Sequence, residues 1–415
     1  MKSLNFTLAV GVLILTVPFA RAADASSEEF LARHWSRPLA PQGSAPAKFS
    51  AVEASLQPAD CGQCHAPQLA DWQTSQHSRA MGPGVLGQLL KLAPAARDEH
   101  QECLRCHAPL AEQADALTSE IAASVNPTRH PASAVDTAGS GSGLHRHGLT
   151  CAGCHVRQQQ RFGPPRRDRS GPDAATNPEL PHGGFTAAAA FEDSRFCAAC
   201  HQFESDGFAL NGKLLENTYD EWRASRHARE SRTCQSCHMP DRRHLWRGIH
   251  DPQTVRSGLA FTPGAAVLNG KTVRTSLLVR NTGTGHFFPT YVTPRVIVEI
   301  EQLKNDGSPL RGTRVAWIIQ RRVPLDLSRE ISDTRLPPDG EMRLDYRQPR
   351  ARGAAFLAYR LRVEPDEFYA RFYRSLLAGG GAGRGTAQIR EALRQAEASP
   401  FVAFDERRPL APASP

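Results

Sequence analysis

All ten cysteines of the 415-residue sequence occur in five C-x-x-C pairs, and a histidine follows each pair directly. In chain order they are site 1 (Cys61, Cys64, His65), site 2 (Cys103, Cys106, His107), site 3 (Cys151, Cys154, His155), site 4 (Cys197, Cys200, His201) and site 5 (Cys234, Cys237, His238). Two thiols one helical turn apart can form thioethers with a porphyrin, and the adjacent histidine can bind its iron. The pattern therefore predicts five covalently attached haems c, each with an iron.

Two other kinds of site also use paired cysteines. An even number of cysteines in an exported protein would ordinarily indicate disulfides, and C-x-x-C pairs occur in zinc sites. Neither requires a histidine at the next position, and an odd number of pairs does not suit zinc sites built from two pairs each. The sequence has 16 histidines, so chance would rarely place one after every pair. The sequence favours haem attachment over both alternatives.

A repeated motif supplies two candidates for the second axial ligand. The sequence DWQTSQHSR at residues 71–79, the first copy, recurs as EWRASRHAR at residues 221–229, the second copy. An acid, a Trp, a Ser, a His and an Arg keep the same spacing in both copies, and each copy lies beside an attachment site. We therefore expect His77 and His227 to bind iron opposite a motif histidine.

Further candidate ligands flank sites 3 and 5. Either His145 or His147 could serve from just before site 3, and either His244 or His250 from just after site 5; of these we take His147 and His244 as site residues. His286 lies in the glycine-rich stretch NTGTGHFFPT, where the backbone can approach a flat cofactor closely. The histidines expected to be ordinary polar residues are His34, His100, His130 and His182.

The N-terminus is typical of a secretory signal peptide over residues 1–22. Lys2 precedes an apolar stretch at 4–20, and Ala20-Arg21-Ala22 fits a cleavage site. A retained anchor is the alternative, but the apolar run is short for a membrane span. We therefore expect a periplasmic protein, with the outer surface or the extracellular space as alternatives, and no transmembrane segment after cleavage.

Composition predicts an α+β protein with three parts after the signal peptide. Residues 23–252 form a mostly helical, loop-rich pentahaem domain, in which so few residues per haem leave the porphyrins to fill much of the interior. Residues 253–364 contain no cysteine and alternate apolar with polar side chains at 295–301 and 359–363, which indicates a small antiparallel β-sandwich. Residues 365–415 are a C-terminal helical tail with helices at 366–377 and 387–398. A further helix is predicted at 108–124.

The charge balance bears on partners. The formal net charge is +8, although the propionates of bound haems would offset it, and the sequence contains no nucleic-acid-binding motif. Residues 157–169 (RQQQRFGPPRRDR) are strongly basic. They could be a solvated loop or a docking face for an acidic redox partner.

These elements together resemble multihaem cytochromes c of the cytochrome c-552/c-554-like type. The resemblance rests on the five motifs, the paired W-x-x-S-x-H copies, CQSCHMP at 234–240 and NTGTGHFFPT at 281–290. It implies a mostly helical haem domain with bis-histidine irons in stacked pairs, and it supports four distal ligands: His77, His227, His244 and His286. Pentahaem nitrite reductases, in the same broad group, usually carry a Lys in place of one motif histidine, whereas all five motifs here end in His.

The leading functional prediction is an electron-transfer protein rather than an enzyme, because an iron with two imidazoles has no free coordination position. Its partners would be other redox proteins, one as electron donor and one as acceptor. One alternative is a multihaem oxidoreductase that acts on a small nitrogen or sulfur compound at one open haem. Another is an oligomeric subunit of an extracellular cytochrome filament, in which a neighbouring molecule supplies a distal histidine.

Overall fold

The computed structural model describes residues 19–125, 143–167 and 179–410, with side chains from residue 26 onward. Helices are short and numerous across the attachment sites, in line with the predicted loop-rich domain. Within the described ranges the α-helices are α1 Phe19–His34, α2 Ala51–Ala54, α3 Pro58–Cys61, α4 Ala66–Gln73, α5 Pro83–Leu89, α6 Arg97–His107, α7 Ala111–Val125, α8 Cys151–His155, α9 Arg195–His201, α10 Thr218–Arg223, α11 Arg226–Arg229, α12 Cys234–His238, α13 Pro252–Gly258, α14 Glu367–Ala378 and α15 Thr386–Ala398. Single-turn 3-10 helices lie at His77–Arg79, Leu144–His147, Pro181–Gly183, Ala189–Glu192, Pro240–Arg242 and Gly383–Gly385.

Strands dominate the second half of the chain, so the fold is α+β as predicted. The strands are β1 Val156–Arg157, β2 Gln160–Gly163, β3 Thr186–Ala187, β4 Ala209–Leu210, β5 Lys213–Leu214, β6 Leu259–Pro263, β7 Val267–Asn269, β8 Thr272–Asn281, β9 Arg295–Leu303, β10 Val315–Ile319, β11 Arg321–Arg322, β12 Ser332–Asp333, β13 Glu341–Pro349, β14 Phe356–Glu364 and β15 Phe401–Pro409. Helix α7 confirms the helix predicted at 108–124. Strands β9 and β14 confirm the strands predicted at 295–301 and 359–363. Burial alternates over 359–363 in β14, but residues 296–303 of β9 are all buried, because β9 is a central strand of its sheet.

The apolar interior of the attachment segment is divided into small clusters. One lies among α5, α6 and α7, where Leu89, Leu104 and Leu117 are almost fully buried. A second joins Leu110, Leu144 and neighbouring side chains beside site 3. Small separate clusters are what a chain forms when it must leave room for large flat cofactors between its helices.

The β-sandwich has one continuous core. One sheet has the strand order β10-β9-β14-β15, and the facing sheet has the order β13-β8-β6, with β7 also paired to β8. All pairs are antiparallel. Val273, Leu277 and Val279 of β8 pack against Val298 and Ile300 of β9, and all five are fully buried. This rigid unit carries the loop that contains His286 toward the attachment segment.

The end of the chain ties the two halves together. Helices α14 and α15 confirm the two helices predicted at 366–377 and 387–398, and α15 packs against α5 of the attachment segment. Strand β15 then pairs with β14 at the edge of the sandwich. The predicted helical tail over 365–415 therefore holds for the two helices and not for β15, because Ala403 and Phe404 bury apolar side chains in the sandwich core.

Within the described residues, no helix is both long enough and apolar enough to cross a bilayer. The predicted signal peptide lies almost entirely outside these residues, and so does His130. The domain limits at 252 and 364 stay predictions.

Candidate haem attachment sites

The five C-x-x-C-H motifs adopt one local geometry. Sites 3 and 5 coincide with α8 and α12, and sites 2 and 4 form the C-terminal ends of α6 and α9. At site 1, Cys61 ends α3, and the His65 N–H donates to the Cys61 carbonyl at 2.9 Å. Helical geometry places the two thiols on one side and the histidine one turn after the first thiol. All ten thiols are free of disulfides, as covalent haem attachment requires.

Three motif histidines each face a second imidazole. The ring centroids of His155 and His244 are 6.1 Å apart. Those of His201 and His77 are 6.3 Å apart. At site 5, His238 and His286 are 6.4 Å apart and nearly parallel, with an interplanar angle of 14°.

These distances fit a metal atom held between two imidazoles. Two metal–nitrogen bonds of about 2.0 Å, with about 1.1 Å from each nitrogen to its ring centre, place the centroids about 6.2 Å apart. Direct stacking of two imidazole rings would bring them closer than this. The residues present therefore fit an iron with two axial histidines at sites 3, 4 and 5.

Hydrogen bonds at Nδ1 orient the rings. In the motif histidines, Nδ1 of His107, His155 and His238 lies 2.5, 2.8 and 2.7 Å from the carbonyls of Ala80, Phe162 and Arg247. Among the facing histidines, Nδ1 of His244 lies 3.1 Å from the Arg242 carbonyl, and Nδ1 of His286 lies 2.9 Å from the Phe287 carbonyl. A ring that donates from Nδ1 leaves Nε2 as a free electron pair, which is the atom and protonation state that a metal needs.

Burial keeps these imidazoles neutral. It lowers the pKa of His77 to about 3 and lowers the pKa values of His155 and His286 to about 4. Neighbouring imidazoles act in the same direction, since His201 lowers the pKa of His77 further. A histidine that is neutral at pH 7 can bind iron without first losing a proton.

The attachment sites are close to one another. Cysteine thiols of different sites lie close enough to shift each other's pKa in three places, which join site 1 to site 3, site 2 to site 4 and site 4 to site 5. These pairs are Cys61 with Cys151, Cys106 with Cys200, and Cys197 with Cys234. Cys154 of site 3 also lies close enough to Cys197 and Cys200 to raise the pKa of both thiols. The sites therefore form a connected set in which site 4 neighbours sites 2, 3 and 5.

Sites 1 and 2 differ from the other three. Among the described residues, no second imidazole forms a ring contact with His65 or His107. The predicted ligands His147 and His227 are not brought to a motif histidine either: His147 is exposed, and His227 is buried with its Nδ1 lacking a hydrogen-bond partner. Their role as ligands stays a prediction.

The alternative histidines have other contacts. Nε2 of His145 lies 2.7 Å from the Glu120 carboxylate, and Nε2 of His250 lies 3.1 Å from the Asp366 carboxylate, so both use Nε2 in a hydrogen bond. His34 places Nε2 2.8 Å from the Cys154 carbonyl and stacks on Phe30. Of the two candidates after site 5, His244 rather than His250 faces a motif histidine.

The tryptophans of the repeated motif have a role that sequence reasoning missed. Trp72 Nε1 donates to the Leu149 carbonyl at 2.8 Å, and the Leu149 N–H donates to the His77 carbonyl at 2.9 Å. In the second copy, Trp222 Nε1 donates to the Arg232 carbonyl at 2.9 Å, and the Arg232 N–H donates to the His227 carbonyl at 2.8 Å. In each copy, the tryptophan and the histidine carbonyl therefore bond to the carbonyl and the N–H of the residue two positions before an attachment motif.

The same two sites share an N-terminal cap. The side chain of Thr150 accepts from the Gly153 N–H at the start of α8, and that of Thr233 accepts from the Ser236 N–H at the start of α12. A side-chain oxygen at this position satisfies an N–H that a short helix leaves free. The T-C-x-x-C-H spelling at sites 3 and 5 was the signal in the sequence that could have identified these caps.

Tyrosines and an acid surround the thiols of site 2. Tyr369 lies near Cys103, and both Tyr291 and Glu216 lie near Cys106, close enough for their charges to interact. Burial raises the pKa of Tyr369 to about 12 and that of Glu216 to about 6. Ionisable side chains therefore lie within electrostatic range of a site without a facing imidazole.

The basic stretch at 157–169 is partly structural. Arg157 donates to the carbonyls of His34 and Val156 at 2.6 Å and stacks on Trp35. Arg161 donates to the Gln159 carbonyl at 2.7 Å. Of the described arginines in this stretch, only Arg166 and Arg167 are exposed, and residues 168 and 169 lie outside the described ranges. A docking face here would rest on these last residues rather than on the whole stretch.

Known proteins resemble this chain in one segment of sequence and in fold. Residues 60–127, which contain sites 1 and 2, match the family model for cytochrome c554 and c-prime. Curated proteins gave no match. Among solved structures, the chain is similar to a penta-heme cytochrome c552 from Thermochromatium tepidum, with 17% sequence identity and a TM-score of 0.56 over 86% of this chain and 100% of that chain. At this identity the structural likeness shows the fold.

Proposed function

We propose that this chain is a multihaem c-type cytochrome of the c552/c554 type and that it transfers electrons in the bacterial cell envelope through five covalently bound haems. Most of these haems would have two axial histidines. The match of residues 60–127 to the cytochrome c554 and c-prime family model and the fold shared with a penta-heme cytochrome c552 support this proposal. The observation that carries the proposal is the set of three imidazole pairs with centroids 6.1 to 6.4 Å apart at sites 3, 4 and 5. Bound haem supplies a one-electron change at iron.

The chain's own residues supply position and environment. The five pairs of thiols fix five cofactors, and the Nδ1 hydrogen bonds hold His155, His238, His244 and His286 with Nε2 toward the space between the rings. Saturated coordination at three sites favours electron transfer over substrate binding there. The contacts between sites support a connected path, since site 4 neighbours sites 2, 3 and 5.

A specific observation favours a second candidate function, a redox enzyme at site 2. His107 has no facing imidazole among the described residues, and Tyr369, Tyr291 and Glu216 lie near the thiols of the same site. An iron with one protein ligand could bind a small nitrogen or sulfur compound, and nearby hydroxyl or carboxyl groups could donate a proton to it. Site 2 could then be a reaction site that exchanges electrons with site 4.

Electron paramagnetic resonance of the oxidised holoprotein, together with intact-mass analysis, tests both candidates. We expect five added porphyrin masses and at least three low-spin signals of the bis-histidine type. A chain matured by its native attachment machinery that gained no porphyrin mass would contradict the proposal. A ferric high-spin signal in the oxidised protein, together with a carbon monoxide complex in the optical spectrum of the reduced protein, would favour the second candidate. Tyr369→Phe should then alter the carbon monoxide spectrum, while Tyr346→Phe, whose hydroxyl bonds to Gln302 and Thr313 in the sandwich core, should not.

The proposed location and partners rest on sequence. Residues 1–22 would direct export to the periplasm, and N-terminal sequencing of the mature protein should begin at residue 23. Other redox proteins would dock as donor and acceptor, and exposed Arg166 and Arg167 would attract an acidic one. A mature protein that kept residues 1–22 would contradict the export step.

A further inference from the structure

The acid of each repeated motif reaches a distant part of the chain. In the first copy, Asp71 accepts two hydrogen bonds from the Arg243 guanidinium, at 2.6 and 2.8 Å. It also accepts the backbone N–H of His244 at 3.1 Å. His244 is the imidazole that faces His155 at site 3. The carboxylate thus bonds directly to the backbone of a facing histidine.

The second copy repeats this arrangement with different sequence partners. Glu221 accepts the backbone N–H of Phe287 at 2.9 Å and the Thr290 hydroxyl at 3.2 Å. Arg335 donates to the other carboxylate oxygen at 3.0 Å. Phe287 directly follows His286, which faces His238 at site 5. An acid, an arginine and a backbone N–H at a facing histidine therefore recur together.

Each copy also holds the opposite side of the same site. Trp72 is bonded to the residue two positions before Cys151, and Trp222 to the residue two positions before Cys234. The first copy therefore contacts both the attachment helix and the facing histidine of site 3, and the second copy does the same at site 5. In both copies, one short helix thus bonds to the two segments that carry the paired imidazoles.

We infer that Asp71 and Glu221 are positioning residues for the sixth ligands of sites 3 and 5. The acid sets where the facing histidine lies, the tryptophan sets where the attachment helix lies, and the distance between the two imidazoles follows from both. A carboxylate suits this task because it can accept a backbone N–H and an arginine at once. The inference rests on the proposed function, in that it takes His244 and His286 as ligands.

Alanine variants of the two acids test the inference in the full-length holoprotein. Glu221→Ala should convert one haem from low spin to high spin while five porphyrins stay attached, and added imidazole should restore the low-spin signal. Asp71→Ala should do the same to a different haem. Glu221→Gln and Asp71→Asn keep an acceptor for the backbone N–H, so they should retain most of the low-spin signal.

Matched controls separate ligand position from general damage. Asp220→Ala removes an acid next to Glu221 that forms an exposed ion pair with Arg223, and Gln73→Ala changes an exposed residue on the same helix as Asp71. Both should leave every low-spin signal unchanged. The unaffected haems in each variant report that the chain has folded.

Four outcomes decide the matter. Unchanged low-spin signals and reduction potentials in both alanine variants would overturn the inference and leave the proposed function intact. A wild-type holoprotein without bis-histidine signals would overturn both. If Glu221→Ala fails to accumulate, the spectrum of Asp71→Ala alone decides whether the inference holds. This variant should be better tolerated, because the arginine partner of Asp71 is half exposed. Loss of all low-spin signals together in either variant would point to general unfolding and would also contradict a role limited to one ligand.

Discussion

The two copies of the repeated motif share their hydrogen bonds but differ in what their histidines reach. In both, the tryptophan and the histidine carbonyl hold the residue two positions before an attachment motif. Yet the ring centroids of His77 and His201 of site 4 are 6.3 Å apart, whereas His227 forms no ring contact with a motif histidine among the described residues. Each copy of the motif therefore positions the attachment helix of one site, site 3 for the first copy and site 5 for the second. Only the first copy also provides a facing imidazole, His77, to another site.

The difference lies in what surrounds each histidine in space. Site 3, which the first copy contacts, lies beside site 4, since Cys154 is close enough to Cys197 and Cys200 to raise the pKa of both thiols, and His77 faces His201 there. His227 instead lies against the loop that carries His286, where a Cβ added to Gly285 would be 3.4 Å from the His227 Cβ. A histidine that recurs in a repeat is thus evidence for a ligand only where a motif histidine lies opposite it.

The largest expected effect separates the two histidines. His77→Ala should remove one of the low-spin signals and create a high-spin one, because site 4 would lose its facing imidazole. The geometry of the second copy instead gives an unchanged low-spin spectrum for His227→Ala, whereas the ligand role predicted for His227 from the repeat requires the loss of one low-spin signal. Electron paramagnetic resonance of both oxidised variants, with haem quantitation, makes the comparison. An altered low-spin spectrum in His227→Ala would show that the two copies are more alike than their geometry indicates.

The next effect concerns the arginine partners of the two acids. Arg335 and Glu221 have side chains only 3% and 4% exposed, so Arg335→Leu should destabilise the protein by about 3–5 kcal/mol, because it leaves a buried carboxylate unpaired. Arg243 is 59% exposed, so Arg243→Leu should cost less than about 1 kcal/mol. Denaturant unfolding of the holoprotein, followed by tryptophan fluorescence, measures both. Equal losses would contradict the difference in burial.

Sequence alone was enough for those parts of the molecule that depend on local pattern. The C-x-x-C-H pattern predicted five attachment sites whose local helical geometry suits attachment. The sandwich strands at 295–301 and 359–363 were predicted from their apolar periodicity, although burial alternates only in β14. The facing histidines His77, His244 and His286 were also named from sequence. Their pairing with sites 4, 3 and 5 was not.

The site that each facing histidine serves could not be predicted from the sequence, because it depends on contacts between residues far apart in the chain. His244 comes after site 5 in sequence, yet it faces His155 of site 3. Strand β15 was missed for a similar reason, since it follows a helix and gains its partner β14 only when the chain returns to the sandwich. The anchoring acids were visible in the repeat, but Arg243 and Arg335 lie outside it.

A smaller effect is expected from the two tryptophans. Trp72 is buried and its hydrogen bond to Leu149 lies in the interior, so Trp72→Phe should cost about 1–3 kcal/mol, since it leaves a buried carbonyl unpaired. Trp222 is only half buried, and water can replace its bond to Arg232, so Trp222→Phe should cost about 0.5–1.5 kcal/mol. Denaturation midpoints of the two variants, followed by circular dichroism, give the order. A larger loss for Trp222→Phe would reverse it.

The smallest effect should come from the threonine caps, where the two regions are most alike. Thr150 and Thr233 each accept one N–H at the start of a five-residue attachment helix, and loss of such a cap costs about 1 kcal/mol. Thr150→Ala and Thr233→Ala should therefore lower stability by similar amounts, and Thr150→Ser and Thr233→Ser should restore most of it. Thermal unfolding of the four variants tests this. A loss confined to Thr150, which is almost fully buried, would show that packing around the side chain matters there more than the cap itself.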